Sequence, residues 1–172
     1  MRGQYRGKIG FVSSEEKAYI AGFLDGDGCL MAQLVRRKDY FYGYQVRISI
    51  VFYQREGHEE ILLWLKKKLG YGYIRRRNDM MFEYTIVGLK EVRVILKTLY
   101  PFLRLKKVLT RKVLKIIQLH PEKMTVEILL RLSSLVDETA KFNYSKKRTN
   151  TRKSVETFLK NTNLFPVETE TR

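Results

Sequence analysis

The sequence predicts a mixed α+β fold in which helices alternate with antiparallel hairpins. Segments with apolar residues at helical spacing take turns along the chain with pairs of β-compatible segments that are joined by turn residues. This order, written αββαββα with further helices after it, is typical of an α+β domain. With 172 residues and 44% hydrophobic content, we expect a single domain over residues 1–172 with its core at about 14–143.

The first helix and the first hairpin occupy the opening third of the chain. Ser13, Ser14 and Glu16 precede "KAYIAGFL" and resemble a helix start, so a helix is predicted from about Ser14 to Asp25. Two strands follow, "CLMAQLVRR" and "YQVRISIVFYQ", joined by the long aromatic loop "KDYFYGY". The second strand alternates strictly, which places Gln45, Arg47, Ser49 and Val51 on one face and Val46, Ile48, Ile50 and Phe52 on the other.

The remaining elements repeat this pattern and end in helices. "GHEEILLWLKKKLG" is an amphipathic helix closed by Gly70. The strands "YGYIRRR" and "MFEYTIV" flank a turn at Asn78 and Asp79, and two helices follow with a break at Pro101. A further helix is predicted to begin at Pro121, and "KSVETFLK" forms a short last one. The basic segment 143–152 is either a solvated linker or an arm that lies on phosphates.

The charge of the chain predicts a polyanionic partner. Lys and Arg number 34 against 18 acidic residues, giving a formal net charge of +16, and such an imbalance repels itself unless a polyanion neutralises it. Nucleic acid is the first candidate, and a basic soluble or ribosomal protein is the alternative. A membrane surface is not favoured, because no basic amphipathic helix stands apart from the globular pattern.

The cysteine and histidine content limits the kinds of disulfide and metal site that the chain can form. The single cysteine, Cys29, excludes an intrachain disulfide and a thiolate metal cluster. His58 and His120 lie far apart without ligand spacing, so a zinc site is not expected. No apolar run reaches membrane-spanning length. We therefore expect a soluble intracellular protein, with cytoplasm and organelle interior both open.

Small residues recur on one side of the first predicted helix. Ala18, Gly22 and Gly26 follow one another at four-residue intervals and share a face. A glycine in mid-helix costs about 1 kcal/mol relative to alanine, so the position of Gly22 predicts close packing against another helix. The alternative is that Gly26 and Gly28 form an ordinary helix stop.

Two acids end this helix. Asp25 and Asp27 stand at the negative end of the helix dipole, where a carboxylate is misplaced unless a cation is present. Carboxylate and carbonyl oxygens suit Mg²⁺, which is held by one or two protein carboxylates together with phosphate and water. A calcium loop is excluded because Cys29, Met31 and Leu34 occupy positions that need oxygen ligands. An ordinary turn remains the alternative.

The segment "YIAGFLDGDG", Tyr19 to Gly28, resembles the signature of the LAGLIDADG homing endonucleases. The order of elements is similar to the single-motif, homodimeric branch of that family from about Ser14 to the basic segment before Thr151. The resemblance implies an αββαββα core with a saddle-shaped antiparallel sheet and C-terminal helices. It also implies site-specific cleavage of double-stranded DNA at a long pseudo-palindromic site, by metal-dependent hydrolysis across the minor groove that leaves 3′ overhangs.

The resemblance assigns residues to the active site. It implies that Asp27 binds Mg²⁺, with Mn²⁺ as a substitute, and that the Gly26 carbonyl is a second ligand. Two subunits are then expected to meet through Ala18, Gly22 and Gly26, because one motif per chain requires a homodimer to cut both strands. Gln54 and Lys106 match the family's glutamine and lysine near the scissile phosphate. His58 stands where the family often has a basic residue. It either keeps that basic role, acts in proton transfer, or is a helix-start residue with no catalytic part.

The resemblance also implies a DNA-reading sheet face. Its solvent-facing positions would supply guanidinium groups for guanine, amides for adenine and apolar contacts for thymine methyls; an ordinary exposed sheet surface is the alternative. The late loop of the family contacts the DNA backbone. The implied DNA-contacting residues are Cys29, Met31, Gln33, Val35, Arg37, Gln45, Arg47, Ser49, Arg75, Arg77, Glu83, Ser145, Lys146 and Lys147.

Two other functions remain open on the same fold. The chain could be an RNA-binding maturase that helps intron RNA to fold, or a regulator that binds DNA without cutting it. The paired acids Asp25 and Asp27 favour cleavage, because a protein that only binds a polyanion gains little from carboxylates that face it.

Overall fold

The order of elements in the computed structural model is the one that the sequence predicts. The structure describes residues 12–143 and 148–164. The helices are α1 (Ser14–Gly26), α2 (Glu60–Leu69), α3 (Leu89–Leu99), α4 (Lys107–Leu119), α5 (Val126–Glu138) and α6 (Arg152–Asn161), with a 3₁₀ turn at Thr139–Phe142. The strands are β1 (Gly28–Arg36), β2 (Tyr44–Arg55), β3 (Tyr73–Arg76) and β4 (Met81–Val87). The αββαββα order followed by helices is therefore confirmed.

Helix α1 begins where its capping residues predict. The hydroxyl of Ser13 accepts the Glu16 N–H at 3.2 Å, and the Glu16 carboxylate accepts the Ser13 N–H at 3.1 Å. This reciprocal pair satisfies two amide groups that have no partner inside the helix. The helix ends at Gly26, and its buried face carries Ile20, Ala21, Leu24 and Asp25.

Helix α5 begins later than the sequence predicted. Its N-cap is Thr125, whose hydroxyl accepts the Ile128 N–H at 3.2 Å, so the predicted start at Pro121 is wrong. Proline at a first helical position was the signal that misled, since a threonine four residues later caps the helix instead. Helix α2, by contrast, is closed by Gly70 in the left-handed conformation, with φ +74°, as predicted.

The four strands form one sheet in the order β1-β2-β4-β3. Strand β4 pairs antiparallel with both β2 and β3. The register sets Glu83 of β4 opposite Tyr53 of β2 and opposite Arg75 of β3. Neighbouring residues on these strands point to opposite faces, so Tyr53 and Gln54 lie on different sides of the sheet.

The chain divides into two compact units. The first comprises residues up to 31 together with 48–114, and in it α1 packs with α3, and α2 and α3 with the second hairpin. Stacked rings of Phe23, Phe52 and Tyr84 cross this core, with centroids 5.5 and 6.0 Å apart. The largest fully buried side chains of the first unit include Ile20, Leu24, Leu30, Ile48, Ile50, Leu62, Leu65, Leu69, Ile86 and Ile95.

The second unit comprises residues 32–47 and those from 115 onward. Helices α5 and α6 pack together, and Val155 and Leu159 of α6 are fully buried. The Arg36 guanidinium lies 3.8 Å from the centroid of the Phe158 ring and donates to the Gly43 carbonyl. This cation–π contact joins the end of the first hairpin to α6.

None of the helices in the described ranges combines the length and the apolar character that a membrane crossing requires.

Candidate active site and nucleic-acid interface

The two acids of the "DGDG" segment have different surroundings. Asp25 is only 8% exposed. Its Oδ2 accepts the backbone N–H groups of Arg104 and Leu105 at 2.6 and 3.1 Å, and its Oδ1 accepts that of Lys106 at 2.8 Å. The carboxylate is thus satisfied by the chain just before α4, where free amides favour a negative charge. The expectation that both acids await an external cation is wrong for Asp25.

Lys106 supplies a positive charge at the end of α1. Its Nζ donates to the backbone carbonyl of Asp25 at 2.6 Å, one of the carbonyls that have no amide partner within the helix. The cation expected at the negative end of the helix dipole is therefore present within the chain. Because an ammonium group has three N–H donors, this contact leaves two of them for other acceptors.

Asp27 is the exposed acid of the pair. It is the C-cap of α1, and its backbone N–H donates to the Phe23 carbonyl at 3.0 Å. Its side chain is exposed and forms no ion pair or hydrogen bond with any other residue of the described ranges. No group of three or more His, Cys, Asp or Glu residues within those ranges could hold a metal ion. One chain thus offers the Asp27 carboxylate and the Gly26 carbonyl, too few oxygens for a complete Mg²⁺ shell.

The small residues of α1 lie on its exposed face. Ala18, Gly22 and Gly26 are all exposed, and a Cβ atom added at Gly22 or Gly26 would meet nothing within 4 Å. Gly28 differs, because a Cβ there would lie 2.8 Å from the Leu24 Cα. The chain itself therefore requires glycine at position 28 for the turn into β1, but it gives no reason for glycine at 22 or 26.

Gln54 and His58 line one groove beside α1. The groove has a volume of about 560 Å³, and its walls are formed by Tyr19, Phe23, Gln54, Gly57, His58, Glu60, Ile61 and Trp64. Tyr19 is 54% exposed, and its ring meets the Trp64 ring edge-on at 5.6 Å. His58 lies in the turn before α2, where its backbone N–H donates to the Arg55 backbone carbonyl at 3.0 Å. The structure thus brings Gln54 and His58, two of the four implied catalytic residues, together in one groove. It also places the Lys106 ammonium group on the carbonyl of Asp25, two residues before Asp27.

The first hairpin presents part of the implied DNA-reading set. On β1, Gln33 is exposed and Cys29, Met31 and Val35 are half-buried; on β2, Gln45 and Arg47 are half-buried. Arg37 lies just beyond β1, and its guanidinium forms a two-point ion pair with Asp39 at 2.6 and 2.8 Å. Ser49, expected to face solvent, is fully buried, and no partner of its hydroxyl lies among the described residues. The alternation placed Ser49 on the right face, but neighbouring side chains cover that position.

The second hairpin contains a buried acid between two arginines. Glu83, also expected to face solvent, is 6% exposed. Its Oε1 accepts the Arg75 Nε–H at 2.6 Å, and its Oε2 lies 3.7 Å from Arg77 Nη1. The expectation of an exposed Glu83 is wrong, because a buried carboxylate requires charged or hydrogen-bonding partners, and the flanking arginines provide them.

The charges on this hairpin shift the ionisation of their neighbours. The hydrogen bond to the Glu83 carboxylate raises the pKa of the Arg75 guanidinium. Burial raises the pKa of Tyr53, and the nearby Cys29 and Glu83 act in the same direction. The Tyr53 phenol is therefore neutral at physiological pH, and its ring lies 5.7 Å from the Arg77 guanidinium carbon.

Three implied residues, Ser145, Lys146 and Lys147, lie outside the described ranges. The hydrogen bonds of the Asp25 carboxylate had no signal in the sequence, because its partners are 79 to 81 residues away. The alternation of β2 could have indicated that Gln54 lies on the opposite face from Tyr53.

Comparisons with known proteins identify the class to which this fold and site belong. The LAGLIDADG endonuclease family pattern matches residues 20–122. The DNA endonuclease I-CvuI of Chlorella vulgaris is 39% identical over 143 residues, which span 83% of this chain and 89% of that protein. The DNA endonuclease I-CreI of Chlamydomonas reinhardtii is 34% identical over 142 residues, 82% of this chain and 86% of that protein.

Solved structures agree with the sequence relatives. The homing endonuclease I-CvuI in complex with its target, in the presence of 2 mM Ca, has a TM-score of 0.84 at 37% identity, with 88% of this chain and 97% of that chain covered. The archaeal intron-encoded I-Vdi141I, complexed with DNA, shares the fold, with a TM-score of 0.76 at 20% identity and coverage of 88% and 98%. The chain belongs to the LAGLIDADG endonuclease family and is a homing endonuclease, as the motif from Tyr19 to Gly28 predicted.

Proposed function

We propose that two copies of this chain form a homodimer that cuts both strands of a long pseudo-palindromic DNA site. Cleavage is metal-dependent phosphodiester hydrolysis across the minor groove and leaves 3′ overhangs. The observation that supports this most directly is the exposed side of α1, where Ala18, Gly22 and Gly26 lead to the carboxylate of Asp27, which has no partner among the residues that the structure describes. Each subunit acts as one domain over its whole length.

The open space at Gly22 and Gly26 supports the dimer. A mid-helix glycine lowers helix stability by about 1 kcal/mol relative to alanine, and no residue of the described ranges occupies the space that its missing side chain leaves. A second α1 helix related by two-fold symmetry can approach closely there, because the same patch would then serve both subunits. Asp27 of each copy would then lie beside the other.

The donor set at the end of α1 fits a hard divalent cation. Asp27 and the Gly26 carbonyl supply oxygen ligands, and phosphate, water and the partner subunit would complete the shell. We propose Mg²⁺, with Mn²⁺ as a substitute. When bound, such an ion stabilises charge on the phosphate and promotes ionisation of water. I-CvuI has also been solved with an I-CreI target in the presence of 2 mM Mg, with the DNA not cleaved.

The other implied catalytic residues act around this point. Lys106 is held by the Asp25 carbonyl, and its remaining donors supply positive charge where negative charge develops on the phosphate. Gln54 orients the attacking water from the groove beside α1. His58, on the same groove, transfers a proton near neutral pH, or else serves only as a turn residue before α2.

DNA contacts come from side chains that the described structure leaves accessible, and from the late loop. Ser49 and Glu83 are left out of the contact set because both are buried. Ser145, Lys146 and Lys147 hold backbone phosphates, and the net charge of +16 supports this electrostatic component. The proposed base-reading residues are Met31, Gln33, Val35, Arg37, Gln45, Arg47 and Arg75.

The test uses duplexes that the wild-type protein selects by binding from a randomised library. With Mg²⁺ present, Asp27→Asn should reduce the cleavage rate at least about a thousandfold, equivalent to roughly 4 kcal/mol, while binding to the selected duplexes persists. Chelation of the metal should abolish wild-type cleavage, and Mn²⁺ should restore it.

The matched control is Glu122→Gln, which removes one exposed negative charge far along the sequence from the motif. It should cleave at the wild-type rate. Normal cutting by Asp27→Asn, or full activity in the chelator, would refute the proposed mechanism.

A further inference from the structure

The buried carboxylate of Glu83 makes different contacts with its two arginine neighbours, Arg75 and Arg77. Arg75 gives Glu83 only its Nε–H, at 2.6 Å. The Arg75 side chain is 63% exposed, and its two terminal nitrogens have no partner in the described part of the chain. Those two nitrogens form the end of the guanidinium fork that binds guanine O6 and N7 in the major groove.

The Arg77 fork is already occupied. Its Nε and Nη2 donate to the two carboxylate oxygens of Asp79 at 3.2 and 3.0 Å. Its Nη1 lies 3.7 Å from Glu83, and its guanidinium carbon lies 5.7 Å from the centroid of the Tyr53 ring. A base could bind Arg77 only by displacing Asp79, so the ion pairs keep this arginine in place beside the sheet.

We propose that Glu83 is a positioning residue that directs Arg75 to a guanine, and that Arg77 supports Glu83 instead of reading a base. The inference rests on the proposed function of DNA recognition and makes it more specific. It assigns specificity for one guanine in each half-site to Arg75, with Glu83 acting through it.

The hydrogen bond to Nε gives the physical reason. A free arginine side chain loses considerable rotamer freedom when it binds, and a planar fork that is already held loses less. The Glu83 carboxylate can hold Arg75 without repelling phosphates at close range, because it is buried between Arg75 and Tyr53 in the register of the sheet. The Thr85 hydroxyl also donates to Glu83 Oε1, at 3.4 Å, and helps to fix the carboxylate.

The test compares base preferences selected from a randomised duplex library by the full-length wild-type protein and by variants. The wild type should select guanine at one position in each half-site. Arg75→Ala and Arg75→Met should lose this preference, because neither side chain has a donor for guanine O6 and N7. Glu83→Gln should reduce the preference about tenfold, since a well-made fork contact contributes discrimination of this order. Its affinity for unrelated duplex should stay equal to or above that of the wild type.

Two further outcomes decide the inference. Arg77→Ala should keep the guanine preference, and thermal unfolding should confirm that each variant is folded. Retention of the preference by Glu83→Gln, or its loss in Arg77→Ala but not in Arg75→Met, would overturn the assignment. If Glu83→Gln does not fold, the Arg75→Met and Arg77→Ala results still decide which arginine reads the base.

Failure of the inference can be told apart from failure of the proposed function. If the wild type selects no sequence from the library, DNA recognition itself is refuted and the role of Glu83 with it. If the wild type selects a site while Arg75→Met keeps the guanine preference, only the role of Arg75 and Glu83 is refuted.

Discussion

The two sides of helix α1 are explained by different partners. On the buried side, Ile20 and Leu24 pack in the core and Asp25 accepts three backbone N–H groups. On the exposed side, Gly22 and Gly26 face open space and Asp27 has no partner in the described ranges. The buried side thus stabilises the subunit. The exposed side is the one that the second subunit of the proposed dimer would cover.

The largest effect is expected from filling the exposed side. Gly22→Leu places a large side chain at an exposed position of α1, where an added Cβ atom would meet no described residue within 4 Å. The subunit should therefore fold normally, but a second helix could no longer approach closely. Analytical ultracentrifugation should show a monomer at concentrations where the wild type is a dimer. Cleavage of both strands should fall by about a thousandfold or more.

Lys97→Leu provides the control for adding a leucine to an exposed helical position, because Lys97 is an exposed residue of α3 and not part of α1. It should leave the dimer intact. A Gly22→Leu protein that still sediments as a dimer would show that the exposed side of α1 is not the contact.

Substitutions of Asp25 and of Asp27 should change the free energy of unfolding by different amounts. Asp25→Asn removes a buried charge from three backbone donors and should lower the free energy of unfolding by about 3 kcal/mol. Asp27→Asn removes an exposed acid from the negative end of a helix and should leave stability unchanged or raise it by about 0.5 kcal/mol. Urea denaturation followed by circular dichroism measures both. Equal effects of the two substitutions would contradict the division of roles.

Two glycine-to-alanine substitutions should have effects of opposite sign. Gly28→Ala brings a methyl group against the backbone of Leu24 and should destabilise the subunit by about 2 kcal/mol. Gly22→Ala should stabilise the isolated subunit by about 1 kcal/mol, while it weakens the dimer. Thermal unfolding at low protein concentration, where the monomer dominates, measures the effect of each substitution on the stability of the isolated subunit.

The parts of the site that could be predicted are those encoded locally. The segment from Tyr19 to Gly28 contains its own helix, its small-residue face and its acids, so the family and the end of α1 were accessible from sequence. The partners of Asp25 were not, because they lie about eighty residues away and depend on how α1 packs with the chain before α4. Nothing in the neighbouring residues separates the buried acid from the exposed one.

The sheet shows the same limit. Strict alternation along β2 placed Gln45 and Arg47 correctly, since the period of a strand is a local property. It also predicted an exposed position for Ser49, and the family resemblance implied one for Glu83 on β4, but both residues are buried. Alternation gives the face on which a residue lies, whereas burial depends on the side chains of neighbouring strands. For Glu83 these are Arg75 and Tyr53, which only the register of the sheet brings together.

The opposite orientations of Tyr53 and Gln54 have a practical consequence for protein engineering. Tyr53 shares a face with Glu83 and Arg75, whereas Gln54 lines the groove beside α1. In the proposed mechanism, base recognition and catalysis therefore use opposite faces of the same sheet. Substitutions on the face that carries Tyr53, Glu83 and Arg75 could therefore change the base preference without altering the proposed catalytic residues. The target site could then be changed without redesign of the active site.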